Sequence, residues 1–227
     1  MNTKNWYGWL KNISESFPAG KRRFLPQRYI GGFRHIRPEE SEVKFELGFD
    51  LLAGHPHYKR EAKYLALQIL GGEEVSRLNT EARIKRSLVY DISTSVVDET
   101  DVGFVGITAA AQAENINRIL DVVIAEIKKL AAKPVSSREL ERAKRQMIVA
   151  LTKKAEDNED SIEVSAEQLL NFGRLRSTKE QISRINAVST DDVLVAAAAI
   201  FATTPSYLVQ GRIADCYSYE QIKAKLR

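Results

Sequence analysis

The side chains best suited to chemistry lie in the segment Ile69–Ser93, which carries Arg83 and Tyr90 seven residues apart. A guanidinium group is always charged and presents a planar fork of donors to an oxygen acceptor. A phenol hydroxyl can donate a hydrogen bond to an oxygen that becomes negatively charged during a reaction. By themselves, an ordinary arginine on a helix surface and an aromatic residue in a strand would also explain these residues, so both interpretations stay open.

Histidine and cysteine offer little for a metal centre or a covalent intermediate. His55 and His57 flank a proline and could share a metal ion, but zinc sites use three or four protein ligands, and only His35 stands nearby in the sequence. This pattern favours a surface loop. Cys216 is the only cysteine, which excludes an intrachain disulfide and a thiolate cluster. No histidine stands close enough in sequence to activate it as a nucleophile, so we expect a structural cysteine.

The motifs around the arginine and the tyrosine resemble those of the pitrilysin-type zinc peptidases, a family that includes the mitochondrial processing peptidases. Gly71–Gly72 leads into Ser76–Leu78, a short helix then carries the arginine, and a strand opens with the tyrosine. The strand order, the run Glu139–Lys144 and the terminal strand Leu208–Gly211 also match the family's pattern. The resemblance therefore covers roughly Tyr29–Leu226.

The inverted zinc motif H-x-x-E-H of the family's catalytic half is absent from the 227 residues. The resemblance thus implies the C-terminal, non-zinc domain of an inverzincin metalloendopeptidase. Such a domain holds the peptide substrate and is inactive without a zinc-bearing domain or subunit. It implies a homo- or heterodimer, no cofactor in this chain and zinc in the partner. Arg83 would hold a substrate backbone carbonyl just beyond the cleavage point, and the Tyr90 hydroxyl would donate to the scissile carbonyl as it becomes an oxyanion.

Two departures from the family pattern favour a second interpretation, an inactive structural homologue that acts as an assembly scaffold, like the core subunits of respiratory complexes. Glu73, Glu74 and Val75 replace a stretch that is usually rich in glycine and serine. An acidic loop in a substrate chamber could attract basic peptides, or the two carboxylates could simply be solvated. Ser87 stands where the family generally has glycine, and a serine in a left-handed turn costs about 0.5–2 kcal/mol. We therefore expect an altered turn before Tyr90.

The composition indicates a globular protein with 44% hydrophobic residues, no apolar run near the ~18 residues of a spanning helix, and no signal peptide. The net charge of +4 is spread over the chain, except that Lys21–Arg37 carries six basic residues and no acid. This run indicates a solvated or partner-facing linker. Polyanion binding is the weaker alternative, because no nucleic-acid motif accompanies it. A cytoplasmic or mitochondrial-matrix-like location is favoured, with a periplasmic one as the alternative.

The element order predicts an α+β fold with a mainly antiparallel sheet and helices layered on one face, because strands come first and helices follow. The resemblance adds the processing-peptidase-like metallohydrolase type. Residues 27–227 form the predicted domain. Residues 1–26, with an amphipathic helix at Trp6–Phe17 and a basic linker, would be the tail of a missing preceding domain.

Hydrophobic periodicity predicts the individual elements. The predicted strands are Ile30–Ile36, Val43–Phe49, Tyr90–Val97, Gly103–Ala109 and Tyr207–Ile213. The predicted helices are Tyr58–Leu70, Ser76–Lys85, Glu114–Ala131, Ser137–Glu156, Ser161–Leu170, Lys179–Ile185, Asp191–Phe201 and Tyr219–Leu226. We expect reciprocal capping within Ser136–Glu139, Ser177–Glu180 and Ser189–Asp192. Gly71–Gly72 should supply a permissive backbone at the end of its helix.

Overall fold

The fold is described by a computed structural model for residues 29–37, 39, 42–52, 59–99, 102–156, 162, 164–169, 173–212 and 216–227. The helix predicted at Trp6–Phe17, the basic residues up to Arg28, and the histidines His55 and His57 lie outside these residues. Within the helix predicted at Ser161–Leu170, residues 162 and 164–169 are helical.

The strands of the sheet are β1 Gly32–Ile36, β2 Glu42–Asp50, β3 Ile92–Asp98, β4 Gly103–Gln112 and β5 Ser206–Gln210. Their order is β1-β5-β2-β4-β3, and every pair is antiparallel except β1 with β5. β2 lies at the centre because its alternate side chains are apolar and pack into the core. Val43, Phe45, Leu47 and Phe49 are all buried.

The helical elements are α1 Arg60–Gly71, a π-helical turn at Asn79–Ile84, α2 Ala113–Ala132, α3 Ser137–Glu156, α4 Thr178–Asn186, α5 Thr190–Phe201 and α6 Tyr219–Leu226. Helices α1, α2 and α5 contact one another and cover the apolar face of the sheet. Phe201 meets Phe49 edge to face, with ring centroids 5.0 Å apart. This arrangement confirms the predicted α+β fold with a mainly antiparallel sheet.

Four strand boundaries differ by two residues or more from those predicted. β1 begins at Gly32, after Gly31 with a left-handed φ of 67°. β3 begins at Ile92, because the chain bends at Tyr90 before it joins the sheet. β4 continues to Gln112, because its last residues pair with the start of β2. β5 ends at Gln210, since Gly211 adopts a left-handed conformation with φ 100° and turns the chain.

Serine capping is present at all three predicted helix starts, but only two of the pairs are reciprocal. Ser136–Glu139 and Ser189–Asp192 exchange both hydrogen bonds. In the third pair, the Glu180 N–H donates to the Ser177 hydroxyl at 3.1 Å. The Glu180 carboxylate instead forms an ion pair with Arg174, with Oε1 2.6 Å from Nη2. An ion pair has therefore replaced the second capping bond.

The double glycine at the end of α1 does not form a left-handed turn; its Gly71 allows the helix to pack closely against β3. Gly72 has an ordinary helical φ of −73°. A Cβ atom added at Gly71 would lie 2.7 Å from Thr94 Cγ2 and 3.2 Å from Leu78 Cδ1. The missing side chain thus lets α1 end directly against β3, so the predicted reason for the glycines is wrong at this helix end.

Candidate functional site

Three residues after the π-helical turn, Ser87 has a left-handed φ of 49°. The Ser87 N–H donates to the Arg83 carbonyl at 3.0 Å, and the Leu88 N–H donates to the Ala82 carbonyl at 2.9 Å. These bonds satisfy carbonyls that would otherwise lack a partner at a helix end. The expectation of an altered turn before Tyr90 is therefore wrong, because serine adopts the conformation that glycine usually supplies.

This turn brings Arg83 and Tyr90 side by side. The guanidinium carbon lies 5.6 Å from the centre of the tyrosine ring, within the range of a cation–π contact. Tyr90 is 87% exposed. Among the residues that the structure describes, neither the guanidinium group nor the phenol hydroxyl has a hydrogen-bond partner. Both polar groups are therefore available to an acceptor from outside the chain.

A buried asparagine that sequence reasoning missed holds the turn against the sheet. The Asn79 side-chain amide donates to the Ile92 carbonyl at 3.0 Å, and to the Glu73 carbonyl and the Ser76 hydroxyl at 3.3 Å each. It thereby ties the start of the π-helical turn to the first residue of β3. The only sequence signal was an asparagine within a predicted helix, where its side chain competes for backbone partners.

A salt bridge fixes the same turn to α3. Arg77 Nε lies 2.8 Å from Glu139 Oε1, and the Ser136 N–H donates to the other carboxylate oxygen. Partial burial acts to raise the pKa of Glu139, but the hydrogen bonds from Arg77 and Ser136 outweigh it and lower the pKa to about 2. The carboxylate therefore remains charged and paired at neutral pH.

A groove of about 420 Å³ lies on the face of the sheet opposite the helices. Tyr90 and Asp91 form one side, and Glu46 and Thr108 on the central strands are among the other lining residues. Farther along the same face, the Tyr29 hydroxyl donates to the Gly48 carbonyl at 3.1 Å and lies 2.7 Å from the Ser206 hydroxyl. That end of the face is therefore covered, whereas the described residues leave the end beside Tyr90 open.

The other candidate residues do not meet at this groove. Glu73 accepts a hydrogen bond from the Gln146 side chain at 3.0 Å, and the exposed Glu74 follows it in the loop. Neither carboxylate lines the groove beside Tyr90. His35 Nε2 lies 2.7 Å from the Gly211 carbonyl, and Cys216 packs partly buried against the core. The structure thus unites two of the four proposed site residues.

Neither a metal centre nor a membrane-spanning helix is formed by the part of the chain that the structure describes. No three histidine, cysteine, aspartate or glutamate side chains come together there in a group that could hold a metal ion. The donor set in this part of the chain therefore does not fit zinc. No helix there has both the length and the apolar character needed to cross a bilayer.

The strand order and the helical layer define an α+β domain with a mainly antiparallel sheet. The sequence profile of the family described as "Peptidase M16 inactive domain" matches residues 8–147, and the chain belongs to this family. It is the C-terminal, non-zinc domain of the pitrilysin-like zinc peptidases, which confirms the resemblance seen in the sequence.

Two curated relatives illustrate the similarity. The chain is 28% identical over 194 residues to an "Uncharacterized zinc protease" of Rickettsia felis, covering 84% of this chain and 46% of the relative. It is 25% identical over 234 residues to a "Probable mitochondrial-processing peptidase subunit beta" of Schizosaccharomyces pombe, covering 98% and 50%. The chain therefore spans about half the length of the curated relatives it matches.

Solved structures share the fold at lower identity. A chain of Complex III2 from Candida albicans, with Inz-5 bound, superposes with a TM-score of 0.84 at 16% identity, covering all of this chain and 56% of that chain. The peptidase M16 inactive domain from Pseudomonas fluorescens gives 0.76 at 19% identity, covering 93% and 52%.

Proposed function

We propose that this chain is the substrate-holding C-terminal domain of a zinc-dependent metalloendopeptidase of the pitrilysin and processing-peptidase type. It acts only when paired with a zinc-bearing domain or subunit. The observation that carries the proposal is the Arg83–Tyr90 pair, presented side by side with no protein hydrogen-bond partner among the described residues.

The two side chains have different tasks in this proposal. The Tyr90 hydroxyl donates to the scissile carbonyl oxygen as negative charge develops on it, and one such donor contributes about 2.7–4 kcal/mol to the transition state. The Arg83 guanidinium holds a backbone carbonyl of the peptide just beyond the cleavage point. The exposure of Tyr90, at 87%, allows a peptide to reach both groups. Zinc and the general base belong to the partner.

Turnover by a reconstituted complex tests these roles. The chain is mixed with a chain from the same source that carries H-x-x-E-H, the complex is sized by light scattering, and cleavage of an unfolded peptide is measured. We expect chelator-sensitive turnover only in the complex. Tyr90→Phe should lower kcat about 10²- to 10³-fold. Arg83→Gln should mainly raise KM, whereas Arg138→Gln, which removes an exposed arginine on α3, should change neither constant.

The rival function is an assembly scaffold without hydrolysis. The substituted loop Glu73–Val75 favours this function, whereas the left-handed turn at Ser87 and the contact between Arg83 and Tyr90 favour substrate holding. A stable complex that is inactive, or one whose turnover is unchanged by Tyr90→Phe and Arg83→Gln, would contradict substrate holding and favour the scaffold. Hydrolysis by the purified chain alone, abolished by a chelator, would contradict both functions.

A further inference from the structure

We propose that Glu46 is a specificity-determining residue whose carboxylate binds a lysine or arginine side chain of the peptide that Arg83 and Tyr90 hold. The inference rests on the proposed function and adds to it the kind of substrate side chain that the groove prefers. Glu46 was not among the candidate residues of the sequence, because an acidic residue on the polar face of a strand is ordinary.

Strand register places Glu46 in the middle of the open sheet face. On the central strand β2, it lies opposite Leu208 of β5 on one side and Thr108 of β4 on the other. Thr108 in turn lies opposite Ser93 of β3, and the two hydroxyl oxygens are 3.3 Å apart. Arg34 of β1 ends the row on the far side of Leu208. Glu46 therefore has an apolar and a small polar residue as its direct neighbours, and the nearest cation of the row lies two strands away on the side opposite Tyr90.

The Glu46 carboxylate is partly buried and lacks a partner within the described part of the chain. It leans over Gly106: a Cβ atom added there would lie 2.6 Å from Glu46 Oε1 and 2.7 Å from Ser95 Oγ. The glycine thus leaves the space that the carboxylate occupies on the floor of the groove. A partly desolvated carboxylate without a counter-charge gains when a cation reaches it.

The balance of charge along the groove favours a cation. Among the described residues, Lys44 is the only basic one that lines it, and its ammonium group is paired with Glu42 at 3.4 Å. The remaining charged groups that line it are Glu46 and Asp91, and neither has an ion-pair partner among the described residues. The uncompensated charge is therefore negative, at the end of the face that Tyr90 leaves open.

The distance across the sheet suits a peptide held at Tyr90. Two strand spacings of about 4.8 Å separate β2 from β3, so Glu46 lies roughly 10 Å from the strand that follows Tyr90. An extended peptide advances about 3.3 Å per residue, so this separation corresponds to roughly three residues. A long basic side chain at such a position reaches Glu46 while Arg83 and Tyr90 hold the backbone.

Matched peptides test the inference with the reconstituted complex. Peptide pairs identical except for lysine or norleucine are compared, with the variable residue moved through positions two to four on either side of the scissile bond. We expect kcat/KM to favour lysine at least tenfold at one position. Glu46→Gln should lower kcat/KM for the lysine peptide more than for the norleucine peptide and so bring that ratio close to one. Glu156→Gln, which neutralises an exposed carboxylate at the end of α3 outside the groove, should leave the ratio unchanged.

Binding to the chain alone separates failure of this inference from failure of the proposed function. Fluorescence anisotropy with the labelled lysine and norleucine peptides gives the two dissociation constants without any turnover. If Tyr90→Phe lowers turnover but Glu46→Gln preserves the lysine preference, substrate holding stands and the role of Glu46 is overturned. If Glu46→Gln weakens binding and cleavage of the lysine and norleucine peptides equally, the role of Glu46 is also overturned. If neither peptide binds the chain and the complex cleaves neither, both proposals fail.

Discussion

The Arg83 guanidinium lies over the Tyr90 ring, 5.6 Å from its centre, across a turn that Ser87 closes in the left-handed conformation. The two residues come from different elements, a π-helical turn and the bend before β3. Their contact restricts both side chains before any peptide arrives. Because less rotamer freedom remains to be lost on binding, a peptide would be held more tightly than by two independent side chains.

Substitutions at this pair should alter function and leave the fold intact. Arg83→Gln and Tyr90→Phe should each change the free energy of unfolding by less than about 1 kcal/mol, since an exposed cation–π contact contributes about 0.5–1 kcal/mol. Urea denaturation of the chain alone measures this. A loss of more than about 2 kcal/mol in either variant would show that the residue is structural.

Ser87→Gly should stabilise the chain by about 0.5–1 kcal/mol. Glycine removes the strain of a Cβ atom at φ 49°, which costs roughly 1–2 kcal/mol. Part of this gain is offset because glycine loses more backbone entropy on folding than serine does. Ser87→Ala is the matched control, because it removes the hydroxyl but keeps the Cβ atom. Urea midpoints compare the two variants, and stabilisation by alanine as large as that by glycine would contradict the explanation.

Asn79→Ala should destabilise the chain by about 2–3 kcal/mol, because it leaves the buried Ile92 carbonyl without this donor. Turnover of the reconstituted complex should fall as well, since the element carrying Arg83 would lose its attachment to β3. The control is Asn115→Ala, whose side chain accepts a single exposed hydrogen bond from Arg118 at 3.4 Å. Comparable unfolding energies for the two variants would refute a positioning role for Asn79.

Gly71→Ala should destabilise the chain by about 1–3 kcal/mol, although alanine is the better helix former by about 1 kcal/mol. The cause is the collision with Thr94 Cγ2, which would lie 2.7 Å from the new Cβ atom. The double variant Gly71→Ala with Thr94→Ser removes that methyl group and keeps a hydroxyl for the Leu67 carbonyl. It should recover part of the loss, and a double-mutant cycle with no coupling energy would exclude this contact as the cause.

Acid should weaken the attachment of the π-helical turn to α3. The folded-state pKa of Glu139 is lowered from 4.5 to about 2, although burial opposes the hydrogen bonds from Arg77 and Ser136. Its contribution is therefore complete above pH 4.5 and is lost as the pH falls toward 2. Between pH 5 and 2, the unfolding free energy should fall less in Glu139→Gln than in the wild type, by on the order of 1–2 kcal/mol. Glu74→Gln should follow the wild-type curve, and identical curves for all three proteins would exclude the salt bridge as a source of acid sensitivity.

Local sequence patterns account for the features that the sequence alone predicted correctly. The alternation around Phe45 predicted a strand with one buried face, and the serine-to-acid spacing of Ser189–Asp192 predicted a helix start with both of its hydrogen bonds. Such signals act over two to four residues, so the chain itself contains them. The reciprocal capping predicted for Ser177 and Glu180 is incomplete, because the Glu180 carboxylate forms an ion pair with Arg174, which lies outside the capping motif.

By itself, the sequence determined the fold class and the family, because short motifs and hydrophobic periods are local properties, and it predicted Arg83 and Tyr90 as the residues that would hold a peptide. Only the tertiary structure decided that Arg83 lies over Tyr90 and that Asn79 joins the π-helical turn to β3. It also decided that Glu46 lines the groove beside Tyr90 without an ion-pair partner among the described residues. The physical reason is that each of these facts depends on strand register and on packing between elements distant in the chain. A one-residue change in register would turn Glu46 toward the core, and the spacing of residues along the chain does not record that choice.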